Sequence, residues 1–473
     1  MYHRLIKEDL SRSKPFCLLG AKGVGKTTLA RDFAGKFSNW ILLDLETEAD
    51  RSIFRPEATV SETLKAISFL KGKELRGNGT LIVLDEIGKC PEAIRWAGEM
   101  VDKGTRGRGD EGTRGRGDEG TSGQGDEGTR GPFVVAVSSV MTKELEWLLN
   151  PEAGRMSKHY VYPFSFEEFL MVLDDPASLE AFREVPVPYY AYEKLLTSFH
   201  LYALIGGMPE ITGEYAANRH ISGLKNIYGK IEDRFIQVIS DTVVGSKSLE
   251  LAQEVVQNTY PYAATRISFS HFGNINKGSR EISKAFKALE KIFFLQLILP
   301  VTTSSLPPVP DTFKSPRLHL LDTGLVNYFS GIQKSLFQSH DMNAIFEGQI
   351  ARQVVGQEIL ATEKNGYSQG DAMHFWVRNK AQSTAEVDFV IRYNDHLIPV
   401  VVKAGEPGRL RSLHQFIDMA PHPYAVRLHA GKLAVQQTQT IRGKKFYLLN
   451  LPYFLAGKIR EHLKGFIRLA DGT

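Results

Sequence analysis

The chain has two cysteines, Cys17 and Cys90, in 473 residues. That is too few for a disulfide framework, and neither begins a C-x-x-C or sits near a His-x-x-His, so nothing marks a structural zinc site. Charge of one sign is also scarce. Against 58 Lys and Arg stand 54 Asp and Glu, a formal +4, too small an excess to indicate a polyanion partner by itself. Long apolar runs are missing: the most apolar stretch, Ile292 to Val301, is ten residues interrupted by Gln296, and a membrane helix needs about twenty. The start, Met1-Tyr2-His3-Arg4-Leu5-Ile6-Lys7-Glu8-Asp9, carries charges where a signal peptide has its apolar core. These absences predict a cytoplasmic protein with no membrane segment. A hydrophobic content of 42% with 10% aromatic residues excludes wholesale disorder, and the length suits about three domains.

From residue 15 to residue 174, short apolar runs alternate with helical stretches, the pattern of a doubly wound parallel sheet. Phe16–Leu19, Ile41–Leu43, Leu81–Leu84 and Phe133–Val137 read as buried strands, with a fifth expected at Tyr160–Tyr162; Leu29, Ala30, Phe33, Ala34 and Phe37 recur at helical spacing after the first. An octapeptide repeat, Gly104-Thr105-Arg106-Gly107-Arg108-Gly109-Asp110-Glu111 and its diverging copies, fills residues 104–131. It holds no apolar residue, its period is too short for a solenoid, and its five arginines are matched by six acids, so a disordered surface loop is expected there.

Residues 187–240 read as helical, broken at Gly206-Gly207-Met208-Pro209. A basic helix is expected over Ser279–Phe294, with Ile282, Ala285, Phe286, Leu289, Ile292 and Phe293 as its core stripe and Lys277, Arg280, Lys284, Lys287 and Lys291 elsewhere. An apolar strand and a proline-rich hairpin follow, which completes the outline of a winged helix. Beyond residue 340 the pattern is a helix (Ala344–Leu360), then strands at His374–Val377, Ala385–Arg392 and Leu397–Lys403, with Asn394-Asp395 as the last turn.

Gly20-Ala21-Lys22-Gly23-Val24-Gly25-Lys26-Thr27 fits G-x-x-x-x-G-K-[ST] between a strand and a helix, the context that gives this motif meaning. Gly20, Gly23 and Gly25 let successive N–H groups face a phosphate, with Thr28 continuing into the helix; Lys26 adds a point charge, and the Thr27 hydroxyl belongs in a Mg²⁺ shell. Lys22 reads as a solvated loop residue. Leu81–Leu84 ends in Asp85-Glu86, which places two carboxylates at the edge of a central strand. Asp85 suits the Mg²⁺ shell and Glu86 the orientation and deprotonation of an attacking water. Ser138 and Ser139 end the next strand, where a hydroxyl could reach the γ-phosphate or that water.

These segments, with Ala153-Gly154-Arg155, Tyr162–Phe169, Ile205–Glu210, Leu321–Leu325 and Glu386–Phe389, resemble the AAA-type ATPases of bacteria and archaea that carry a C-terminal domain of unknown function. The resemblance covers nearly the whole chain outside the repeat. It implies ATP and Mg²⁺ as cofactors and makes Arg155 a candidate γ-phosphate sensor or arginine finger, in cis or in trans. In the last region, alternation sends Glu386, Asp388 and Val390 to one strand face. The arrangement resembles the restriction-endonuclease-like fold, with Glu347 or Glu358 as its helix acid and Lys403 as its lysine. Val401 stands where that signature needs a second carboxylate, so a degenerate, non-cleaving module is expected.

The expected fold class is α/β: a P-loop NTPase parallel-sheet domain (1–175), a helical linker or lid (176–245), a winged-helix domain (246–335) and a restriction-endonuclease-like α/β domain (336–473). The expected function is Mg²⁺-dependent ATP hydrolysis driving a conformational switch coupled to DNA or to another protein. An ATP-regulated nuclease and a nucleotide-binding scaffold without turnover are the alternatives. Oligomeric state stays open, a homo-oligomer included.

Overall fold

Apolar runs bounded by glycine or polar turns become the strands of a five-stranded parallel sheet: β1 (Phe16–Leu19), β2 (Asn39–Asp44), β3 (Thr80–Asp85), β4 (Phe133–Ser138) and β5 (Ser157–Tyr160), in spatial order β2-β3-β4-β1-β5. The computed structural model describes residues 4–75, 77, 79–106, 131–334, 348–362, 373–380, 383–403 and 410–471. Helices α1 (Lys26–Ala34), α2 (Glu48–Arg51), α3 (Val60–Lys71), α4 (Pro91–Arg106) and α5 (Lys143–Leu148) connect the strands. Leu29, Ala30, Phe33 and Ala34 of α1 are buried, and Phe33 meets Phe16 of β1 edge-on with ring centroids 4.9 Å apart. Each such aromatic or leucine contributes about 1.5–3 kcal/mol of burial. A capping box starts α3: Glu62 N–H donates to Thr59 Oγ1 and Thr59 N–H donates to Glu62 Oε2.

Because β4 lies between β3 and β1, the C-terminal ends of these three strands adjoin. That edge receives the glycine loop, the acid pair and the serine pair. The fifth strand starts three residues before its expected position, because Ser-Lys-His-Tyr is half-buried at a sheet edge and carries no apolar signal. Of the octapeptide region, the first residues continue α4 to Arg106; residues 107–130, on which the loop expectation rests, lie outside the described residues.

The contacts divide the chain into two compact units, His3–Val161 and Tyr162–Thr473. The second begins with α6 (Phe166–Val172), α7 (Pro176–Arg183), α8 (Tyr192–Ile205), α9 (Pro209–Asn218), α10 (Lys225–Thr242), α11 (Ser246–Thr259) and α12 (Ser279–Lys291). Next come β6 (Leu295–Ile298), β7 (Pro300–Val301) and β8 (Arg317–Leu320), then α13 (Thr323–Phe329) and α14 (Gln349–Thr362). β6 and β8 pair antiparallel, while β7 leaves them to run parallel with a strand of the larger sheet. That sheet is mixed and seven-stranded, built from β7, β9 (His374–Val377), β10 (Glu386–Tyr393), β11 (His396–Val402), β12 (Tyr424–His429), β13 (Ala434–Gln439) and β14 (Lys445–Pro452), in order β13-β14-β12-β11-β10-β9-β7. Asn394, at φ 49°, makes the expected turn between β10 and β11. Helices α15 (Arg411–Met419) and α16 (Ile459–Asp471) complete the unit. Among the described residues no helix is long and apolar enough to cross a membrane.

Three sequence-distant motifs of this unit meet in one buried polar knot. Asp322 takes N–H donors from Gly207 at 2.7 Å and Leu325 at 3.1 Å. Glu358 of α14 takes the Phe166 N–H at 2.9 Å and lies 2.7 Å from Tyr202 Oη. Tyr202 Oη in turn lies 2.8 Å from the Phe164 carbonyl and receives the Gln357 amide at 2.9 Å. The Tyr202 hydroxyl thus has two acceptors in reach, the Phe164 carbonyl and Glu358 Oε1. Burial pushes Glu358 up to about 8, against the Tyr202 and Phe166 donors, and Asp322 up to about 6. Glycines permit the approach: a Cβ on Gly206 would meet Asp322 Oδ1 at 2.1 Å, and one on Gly324 would meet the Ile205 carbonyl at 2.0 Å.

Candidate nucleotide site

The loop Gly20–Thr27 leaves β1 and turns directly into α1, whose first backbone donors face the loop. Gly25, the N-cap, sits at φ 96° and Gly23 at φ 91°, a backbone region that side chains disfavour. Gly20 is needed for a second reason, since a Cβ there would lie 2.2 Å from the Val161 carbonyl. Lys26 is 4% exposed and donates to the Ala21 carbonyl at 2.9 Å. Burial lowers its pKa, opposed by the nearby carboxylates of Glu86 and Asp85. Thr28 is on the exposed side of α1.

Thr27 Oγ1 donates to Asp85 Oδ1 at 3.1 Å, which joins the loop to the end of β3. Asp85 is raised to about 6, chiefly by burial, with the Thr27 hydroxyl working the other way. Glu86 sits at φ 53°, turned out of the strand direction, and its Oε2 accepts the Ser139 N–H at 2.9 Å and the Ser139 hydroxyl at 2.6 Å. The neighbouring serine has a different task. Ser138 Oγ donates to the Val140 carbonyl at 2.7 Å, closing its own turn, so Ser139 rather than Ser138 touches the acid. Cys17, beneath the loop on β1, is a buried thiol pushed upward by desolvation and is no nucleophile.

Lys22 is not solvated in the way expected: it pairs with Glu46 at 2.5 Å, and Lys89, just after the acid pair, meets the same oxygen at 2.9 Å. Burial alone would raise Glu46, but the two lysine hydrogen bonds outweigh it and hold the carboxyl below its usual range. Sequence reasoning missed Glu46. The available signal was that β2, like β3, is an apolar run ending in acids, Asp44-Leu45-Glu46.

Arg155 is not brought to the loop of its own chain. It pairs with Asp102 of α4 at 3.2 Å and lies over the Trp147 ring at 4.2 Å. It precedes Ser157, which pairs with Phe16 at the N-terminal end of β1, while the glycine loop leaves the C-terminal end.

In the seven-stranded sheet the expected acids are engaged internally. Asp388 Oδ2 accepts the Val402 N–H at 2.8 Å. Glu386 contacts the buried Arg317 and lies 3.9 Å from Arg266. Val401 is in an apolar cluster with Trp376, Leu413 and Phe416, and Lys403 is exposed. Glu358 belongs to the knot described above, and Glu347 lies outside the described residues. Among the described residues no group of three or more His, Cys, Asp or Glu could hold a metal ion.

A parallel five-stranded sheet with this loop, helix and acid pair defines the P-loop NTPase class, and residues 12–109 match the AAA domain family. Residues 196–336 match a domain of unknown function (DUF8612), and residues 347–454 match another (DUF4143). No curated protein matches the chain. Among solved structures, the Aeropyrum pernix ORC1 protein in complex with DNA is 13% identical, with 70% of this chain and 88% of that one covered and a TM-score of 0.29. The Thermotoga maritima RuvB Holliday junction branch migration motor is likewise 13% identical, covering 65% of this chain and 88% of that one at a TM-score of 0.27. Likeness at this level distinguishes neither activity nor partner.

Proposed function

We propose that the chain is a Mg²⁺-dependent ATPase of AAA type that uses hydrolysis as a conformational switch. The observation that carries this reading is the 3.1 Å contact between Thr27 Oγ1 and Asp85 Oδ1 with Glu86 next in sequence. Two hard oxygen donors meet there, Thr27 Oγ1 and Asp85 Oδ1, so the residues fit Mg²⁺. Thr27 and Asp85 would hold the ion, which when bound neutralises phosphate charge. Lys26 contributes a fixed positive charge to the β- and γ-phosphates, and the α1 N-terminus with the Gly23 and Gly25 backbone cradles the same groups. Glu86 accepts the proton of the attacking water, and Ser139 fixes the angle of its carboxylate. The placement of Arg155 favours action on the site of a neighbouring copy in a homo-oligomer.

Residues 1–175 are read as the ATPase domain and 176–245 as a helical linker. The α11, α12 and β6–β8 arrangement supports a winged helix within 246–335. Residues 336–473 are read as a degenerate nuclease-like module, supported by Val401 in the apolar cluster and by the engaged carboxylates of Asp388 and Glu386. The switch is coupled through this second part of the chain to DNA or to another protein. Phosphate release from ATP and Mg²⁺ by the purified chain tests the reading. It is expected in the wild type and lost in Lys26→Ala and Glu86→Gln, and turnover that survives both substitutions overturns it.

A further inference from the structure

We propose that the outer stripe of α12 binds the phosphate backbone of double-stranded nucleic acid. This rests on the reading that the second unit carries the partner site, and it names that partner's chemistry. Residues 265–317 hold eight Lys and Arg against three Asp and Glu, whereas the remainder of the chain holds 50 against 51. The positive surplus of the whole molecule is therefore concentrated around this helix.

Arg280, Lys284, Lys287 and Lys291 recur at intervals of four, three and four, which puts them in one stripe, and Lys277 precedes it; all five are exposed. No ion pair among the described residues engages any of them. The acids of the helix are turned to backbone donors: Glu281 accepts the Gly278 N–H at 3.2 Å, and Glu290 accepts the Leu297 N–H at 2.8 Å. Some cations on other helices of this unit are paired, namely Arg183–Glu167, Lys194–Asp175 and Arg234–Glu210. A stripe of like charges costs a few tenths of a kcal/mol per like-charged neighbour, offset in part where Lys287 favours the charged form of Glu290, and an anionic partner reverses that cost.

The kind of anion follows from what surrounds the charges. Ile282, Ala285, Phe286 and Leu289 face the core, so α12 has no apolar face to insert into a membrane. Its outer surface exposes no apolar residue between the cations, unlike the centre of a protein interface and like a nucleic-acid interface. It offers no exposed aromatic ring for stacking unpaired bases. From Arg280 to Lys291 the helix rises about 16 Å, more than the roughly 12 Å width of a duplex major groove, so the end cations reach phosphates on both sides of a groove.

The test is fluorescence anisotropy of a labelled 20-base-pair duplex against the full chain over a salt series. With four phosphate contacts, log K is expected to fall with log salt at a slope of about −3.6. The K284E/K287E variant is expected to bind at least about tenfold more weakly at 0.1 M salt, with the slope reduced by about two. K284Q/K287Q gives the same test if charge reversal harms folding, which a melting curve reports, and Lys445→Glu on β14 serves as the unchanged control. Wild-type affinity in both double variants, a flat salt response, or equal competition by single strands or polyglutamate overturns the proposal. Phosphate release measured on the same samples separates the two readings: duplex binding without turnover removes the ATPase, and turnover without duplex binding removes this surface.

Discussion

At the edge of the five-stranded sheet, Lys26, Asp85 and Glu86 are buried to within 4–8% exposure, and Lys26 donates to its own loop. In the second unit, Tyr202, Asp322, Gln357 and Glu358 are buried to within 2%, and their polar atoms serve one another and the backbone of Phe164, Phe166 and Gly207. Both clusters are assembled from glycines and acids in short motifs. The first sits where strand ends and a helix N-terminus leave donors and acceptors for a ligand; the second is closed on itself and joins α6, α8, α13 and α14. A motif of glycine and acid is thus available to a ligand only where the fold leaves its hydrogen-bonding capacity open.

The sharpest way to break this contrast is to delete the charge in the open cluster. Lys26→Ala, or Glu86→Gln, is expected to lower ATP turnover by roughly 10²–10³-fold, in a phosphate-release assay, with the melting temperature hardly changed. The matching lesion in the closed cluster is Gly324→Ala. Its Cβ has no room at 2.0 Å from the Ile205 carbonyl, so a loss of about 1–3 kcal/mol is expected in denaturant unfolding, and an unchanged midpoint would show that the knot is slack.

Smaller changes refine the comparison. Ser139→Ala removes the 2.6 Å hydroxyl contact to Glu86 and is expected to reduce turnover about tenfold, the worth of one good hydrogen bond. Ser138→Ala should leave turnover within a factor of about two, and the reverse ranking would show that the wrong serine has been placed on the acid. The mildest lesion is Glu358→Gln, read by pH. Burial raises the folded-state pKa of Glu358 from 4.5 to about 8, so the neutral form favours the fold. Its contribution is fully present below about pH 4.5 and is lost as pH rises through about 8. Asp322, raised by burial from 3.8 to about 6, acts in the same direction over a lower window. The wild type is expected to lose stability across this range, and Glu358→Gln, which removes the titrating group and keeps an acceptor oxygen for Phe166 N–H and Tyr202, to show a flatter profile in unfolding titrations.

Much of the candidate site was legible because its signals are local. Gly20 to Thr27 is one loop between a strand and a helix, and Leu81 to Glu86 is one strand with its end. The stripe of α12 and the strands β9 to β11 were legible for the same reason, through their 3.6-residue and two-residue periods. What escaped depends on pairing between distant segments. Glu46 matters only because β2 lies beside β3, so that Lys22 and Lys89 converge on it. The preference of Glu86 for Ser139 over Ser138 follows from the outward turn at φ 53°. Glu358, sought as a metal ligand, is instead taken by the Phe166 N–H, 192 positions away in the chain.

The order of residues alone determined where the glycine loop and the acid pair lie and which helix face carries the row of cations, since backbone curvature and side-chain period are properties of contiguous stretches. Tertiary structure alone decided which acids stay available and which are absorbed into the core. A carboxylate's role depends on the donors that packing delivers to it, and those donors come from segments that no local pattern connects.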